Sequence, residues 1–216
     1  MLRLRLGLAL VLFAGGALAD ESRQYTIDAA SSDVHWLVYK AGSLARLGHN
    51  HVISVAGLTG SVSTAGADLS AARFDLQFPV ASLVVDDPKL RGGLGTDFSS
   101  VPSADDVAGT RKNMLSERVL MADRFATIRV NGQGPGGAAG AQTLQITVEL
   151  LGRAVALTVP TTVNVGGDEL TASGEFELTH GALGMTPYSV MLGALQVADK
   201  MKFVYRIHAT AVAPTN

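Results

Sequence analysis

The chain has 216 residues, and its 17 Lys and Arg against 19 Asp and Glu give a formal net charge of −2. That mild acidity excludes a protein held to nucleic acid or to an anionic membrane surface by bulk charge. The absence of cysteine excludes disulfides, thiol nucleophiles and thiolate metal sites.

The chain opens with Arg3 and Arg5, continues with the apolar stretch Leu6 to Phe13, and reaches Ala17-Leu18-Ala19. A basic start, a short apolar core and small residues at A-x-A spacing predict a cleavable secretory signal at residues 1–19, cut after Ala19. The apolar stretch is shorter than the ~20 residues that span a bilayer, and no later stretch reaches that length. The expectation is a soluble periplasmic or secreted protein whose residues 20–216 form one domain.

Residues 20–24 read as a flexible lead. Short strands are expected at 25–27 and 34–40, the latter containing Trp36, and a third at 52–63, interrupted at Gly57 and Gly60. A long strand at 72–85 carries a break signal at Pro79, and the Gly, Asp and Ser of 87–101 predict a loop. One helix is expected at 104–120, because Ser103 with Asp106 forms a capping-box pattern and Asp105 and Asp106 suit a helix N-terminus. Val107, Arg111, Met114 and Leu115 share one face of that helix, which is expected to cover an opening of the β body. A strand at 125–131, a glycine-rich tip at 132–140 and a hairpin of 142–151 with 154–163 follow. Residues 169–178 form another strand, 180–197 an irregular excursion, and 199–210 the last strand.

The last strand is the clearest. Met201, Phe203, Tyr205, Ile207 and Ala209 alternate with Lys200, Lys202, Arg206, His208 and Thr210. The same alternation runs through Phe74, Leu76, Phe78, through Leu144, Ile146, Val148, and through Leu170, Ala172, Gly174, Phe176, Leu178. Side chains of a strand alternate between faces, so each of these strands is dry on one side only. Such strands must curl until the dry faces meet, which predicts an all-β, antiparallel barrel or sandwich of eight or nine strands.

Several pieces then point to a family. Tyr25-Thr26-Ile27-Asp28, followed by Ser32, Val34, Trp36 and Val38 at alternate positions, resembles the opening of YceI-like proteins. Gly57-Leu58 with Gly60 and Val62, Arg111 with Met114-Leu115, and Phe125-Ala126-Thr127-Ile128 are similar to successive family segments. So are Leu150 to Val159, Leu183-Gly184 with Pro187-Tyr188, and Val197 with Asp199. The resemblance covers nearly all of residues 20–216. It implies a lipocalin-like barrel of about eight strands, with the helix over an opening, and a lumen that binds polyisoprenoid or other lipid chains. Two positions depart from the pattern: Ala126 replaces a proline, and Gly48-His49-Asn50-His51 stands where ordinary members carry a G-x-F stretch, marking a sub-group.

The expected lumen residues are Trp36, Val38, Phe74, Leu76, Phe78, Arg111, Met114, Leu115, Phe176, Phe203 and Tyr205, with Ala172 and Gly174 as small wall positions. The first reading is a non-enzymatic carrier, with bound lipid as its one ligand and no cofactor; a homodimer stays open. A second reading uses His49 and His51, which face the same way in an extended backbone, with His180 or His35 completing a metal site. A third makes the His49–His51 loop a docking element for a membrane redox or transport protein. Catalysis is not expected, since neither G-x-S-x-G nor H-E-x-x-H occurs. The pairs Asp86-Asp87 and Asp105-Asp106 are read as caps and solvated acids, and Arg91 and Arg153 as solvated surface.

Overall fold

The structure is a computed structural model that describes residues 22–65, 68–134 and 139–213. The leader expected at 1–19 lies outside the described residues, as do 135–138 at the glycine-rich tip.

Among the described residues, twelve strands form one sheet. Eight of them close a ring: β1 (Ser22–Ile27), β4 (Thr59–Ala65), β5 (Asp68–Pro79), β7 (Thr127–Gln133), β8 (Gly140–Leu150), β9 (Arg153–Gly166), β10 (Glu169–Thr179) and β12 (Leu195–Ala211). Every neighbouring pair is antiparallel, and Tyr25–Ile27 of β1 against Ala209–Ala211 of β12 makes the closure. The all-β barrel expected from the alternation is therefore observed.

β12 serves two partners along one edge. Beyond its pairing with β1, the same edge pairs with β2 (Asp33–Ala41), register Phe203 to Trp36 and Tyr205 to Val34. β2 leads outward to β3 (His51–Ser54) and β6 (Val84–Val85), while the two-residue β11 (Ser189–Val190) pairs with the start of β12. The corner between β1 and β2 is fixed by Asp28, whose Oδ1 accepts from the Ala30 and Ser31 amides. Ser32 Oγ donates to the Asp28 carbonyl and accepts from the His208 amide. One barrel end thus holds the β4–β5 and β9–β10 hairpins. At the other end β2, β3 and β6 flare away.

The flared end carries the helices. α1 (Pro88–Gly92) starts at Asp87, whose Oδ1 accepts from the Lys89 and Leu90 amides, with proline at the first turn. α2 (Ala104–Leu115) begins with the expected capping box between Ser103 and Asp106. Outside the barrel, Leu37, Val52 and Phe98 form a small second core with Tyr39, Leu90 and Leu94. None of the described helices is long and apolar enough to cross a membrane.

Several boundaries differ from expectation for local reasons. β1 begins at Ser22 rather than Tyr25, because Ser22 to Gln24 find partners on β4. The strand expected at 52–63 is two strands, parted where Gly57 takes φ +70°. The stretch 87–101 is not a plain loop, since Asp87 and Pro88 start α1 and residues 96–98 form a 3-10 turn. α2 ends at Leu115, five residues early, and β12 starts at Leu195 and absorbs an irregularity between Val197 and Met201. The β8–β9 turn is Leu151-Gly152, both at positive φ (54° and 72°), instead of Gly152-Arg153.

Two glycines oppose aromatic residues. Phe74 lies across from Gly132 and Tyr205 across from Gly174. A Cβ at Gly132 would stand 2.6 Å from the Phe74 ring, and one at Gly174 2.7 Å from the Tyr205 hydroxyl, so each ring lies down on its glycine. That posture keeps both rings against the wall. Gly174 is accordingly not the free wall position expected: its Cβ would also strike the Pro160 carbonyl oxygen. Gly174→Ala should cost about 1–3 kcal/mol through overpacking, read as a lowered urea midpoint at unchanged slope.

Candidate functional site

Because one face of every ring strand is apolar, the inward faces converge. They do not fill the interior. A cavity of about 640 Å³ remains, within the range of ligand-binding pockets. It runs from Leu69 and Val163, beside the hairpins at one end, to His49, His51 and Thr110 at the flared end. Its wall is built mainly of aliphatic side chains from β5, β7, β8, β9, β10 and β12.

One side of that wall is aromatic. Trp36 stacks with Phe203 at 5.8 Å between centroids, and Phe203 with Phe176 at 5.4 Å, across directly paired positions of β2, β12 and β10. Cross-strand aromatic pairs at this spacing stabilise the sheet while presenting flat surface to the lumen. Tyr205 meets Phe176 edge-on, and its hydroxyl bonds with Thr161 Oγ1 at 2.6 Å and donates to the Pro160 carbonyl at 2.9 Å. Burial pushes the Tyr205 phenol up, partly offset by the Thr161 hydrogen bond.

Of the lumen residues expected from sequence, Trp36, Val38, Phe74, Leu76, Phe78, Met114, Phe176, Phe203 and Tyr205 line the cavity. Arg111 and Leu115 do not. The residues of α2 that face the cavity are Asp105, Asp106, Gly109, Thr110, Asn113 and Met114, a strip rotated by at least one residue from the one expected. Leu115 packs on the barrel core instead, and Arg111 is exposed, its Nη2 donating to the Ala81 carbonyl at 2.6 Å. The helix therefore presents polar groups to the mouth.

Those groups meet a buried charged network. The Asp86 side chain is 1 % exposed, and its Oδ1 accepts from Arg91 Nη1 at 2.7 Å and from the Val52 amide at 3.0 Å. Its Oδ2 lies 2.6 Å from His51 Nδ1. Arg91, whose side chain is 6 % exposed, also donates to the Asn50 and Ser100 carbonyls. Asn50 fixes the loop by accepting from the Lys40 amide and donating to the Asp97 carbonyl. Burial alone would push the Asp86 carboxyl up. Hydrogen bonds from His51 and Val52, with the Arg91 charge, outweigh it and hold the group below the usual carboxylate range.

Sequence reasoning missed this network. Asp86 is not a solvated acid and Arg91 is not solvated surface. The signal was present in Asp87-Pro88, an N-cap followed by proline, which places Leu90, Arg91 and Leu94 on a folded turn rather than a loop.

The histidines do not gather as a metal site would require. His51 Nδ1 is engaged by Asp86, and His49 Nε2 stands 3.7 Å from Asp106 Oδ2. His180 Nδ1 donates to the Asp199 carbonyl at 2.9 Å, and His35 bonds to Asp33. Among the described residues no three His, Cys, Asp or Glu side chains converge on one point, so His49, His51 and His180 do not form the expected ligand set.

The YceI-like domain family model matches residues 25–209, most of the chain and all eight ring strands at least in part. The chain belongs to the YceI-like family. No curated protein sequence matches it. Among solved structures, it is similar to a polyisoprenoid binding domain from Saccharophagus degradans implicated in plant cell wall breakdown, at 12% identity and TM-score 0.59. That match covers 87% of this chain and 98% of the other. Burkholderia cenocepacia BcnA matches at 15% identity and TM-score 0.60, covering 85% and 99%. A Campylobacter jejuni YceI protein matches at 6% identity and TM-score 0.52, covering 75% and 85%. At such identities the likeness is one of fold. The YceI-like barrel is thus the shared frame.

Asp86→Asn should cost about 3–5 kcal/mol, because it leaves the Arg91 charge buried without its counter-ion. The sign with pH follows from the lowered carboxyl. The stability that Asp86 contributes is complete above the unfolded value of about 4 and is lost as pH falls through the lower folded value. Urea denaturation at falling pH should show wild type's advantage over the variant shrinking below about pH 4.

Proposed function

We propose that the protein is an exported, soluble, non-enzymatic carrier that encloses a long apolar chain, polyisoprenoid or a similar lipid, in the barrel lumen. The observation that carries this reading is the unfilled cavity of about 640 Å³ inside a barrel whose inward faces are almost wholly apolar. Each buried CH₂ of a ligand contributes about 0.8 kcal/mol there, and a chain without polar groups leaves no partner unsatisfied along the wall. The relative from Saccharophagus degradans is itself a polyisoprenoid binding domain, which supports the same class of ligand. The leader pattern at residues 1–19 supports export.

Trp36 is the chain's single tryptophan and lines the cavity, so it reports on occupancy directly. Titration with a polyprenol should change its fluorescence and saturate. Ala172 faces the same cavity with a small side chain. Ala172→Phe should lower the affinity about tenfold by displacing roughly two methylenes of the ligand, with the far-ultraviolet circular dichroism of a barrel retained. A fluorescence signal indifferent to polyprenol would refute the reading.

A further inference from the structure

The mouth network has a chemistry that an apolar lumen alone does not need. Asp86 receives Arg91 and the Val52 amide on one oxygen and His51 Nδ1 on the other. A carboxylate matched to a guanidinium only accepts hydrogen bonds, so His51 Nδ1 carries the hydrogen. In the neutral ring the other nitrogen, Nε2, is then an acceptor. On that side its hydrogen-bond partner is Thr110 Oγ1 at 3.4 Å, longer than an ordinary hydrogen bond. Both His51 and Thr110 line the cavity. Beside them, His49 Nδ1 is buried and, among the described residues, has no partner. The two imidazoles stand 6.2 Å apart between centroids, close enough to meet one small group.

Charge narrows what that group can be. Among the described residues, the Lys, Arg, Asp and Glu side chains that line the cavity are Lys40, Asp105 and Asp106. Lys40 Nζ is engaged by the Gly48 carbonyl at 2.9 Å. Arg91 is committed to Asp86 and to backbone carbonyls behind the wall. Two carboxylates and one occupied ammonium make a poor seat for an anion.

We propose that the flared end is a head-group site for an uncharged, hydroxyl-bearing lipid, whose O–H donates to His51 Nε2 while its chain lies in the lumen. This rests on the carrier reading and adds the class of head. The buried Asp86–Arg91 pair fixes the His51 tautomer, and the acidic rim disfavours a phosphate in the same place. His51 and His49 thereby acquire a role that the metal reading does not give them.

The test uses three probes of one chain length: a polyprenol, its methyl ether and its monophosphate, each titrated against Trp36 fluorescence. The alcohol should bind about five- to tenfold more tightly than the ether, the difference one hydrogen bond makes, and more tightly than the monophosphate. His51→Phe should erase the difference between alcohol and ether. The wild-type comparison decides the matter even if that variant does not fold. Equal affinity for alcohol and ether, or tightest binding of the monophosphate, overturns the head-group site and leaves the carrier standing. Failure of all three probes to bind overturns both.

Discussion

Closing a sheet into a barrel removes exposed strand edges, and here the closure hangs on one strand. β12 meets β10 along one edge and, along the other, first β2 and then β1. The β1 segment closes the ring against β4, whereas the β2 segment carries β3 and β6 outward. The corner at Asp28 and Ser32 converts one continuous neighbour into two. One end of the barrel consequently carries the β4–β5 and β9–β10 hairpins, and the other opens into a flare that α1 and α2 occupy.

The flare explains why polar chemistry gathers at that end. Inside the closed part, alternation leaves most inward positions to apolar side chains, and rings laid flat on Gly132 and Gly174 keep the centre free. At the flare, β3 and β6 lie next to the loop that holds His49 and Asn50 and next to the turn that starts α1. A backbone carbonyl or carboxyl there cannot rely on a regular ladder. Asp86, Arg91 and Asn50 supply the missing partners, and His51 is drawn into the same arrangement. The structure thus couples an apolar tube to a mouth with fixed hydrogen-bonding groups.

The ring strands were legible because burial on one face writes itself into sequence with period 2. The run from Met201 to Ala209 and that from Leu170 to Leu178 needed no tertiary information. The α2 start was legible from Ser103 and Asp106, since a capping box is a local interaction. What was not legible depends on neighbours. The rotation of α2 about its axis follows from what packs beneath it, so Arg111 and Leu115 were placed wrongly and Asp106, Thr110 and Asn113 overlooked. The burial of Asp86 and Arg91 requires the pairing of β3 with β6, which nothing in either short strand announces. Leu151 at φ +54° runs against residue preference and is held by the two long strands it joins.

We propose that the lumen holds a lipid chain. Native mass spectrometry of the gently purified protein, followed by organic extraction of the same sample, addresses it most directly. The expected result is a population heavier than the bare chain by the mass of a long-chain lipid, and the same lipid in the extract. A native mass equal to the chain alone, with no lipid recovered and none taken up on incubation with bacterial lipid extract, would contradict it.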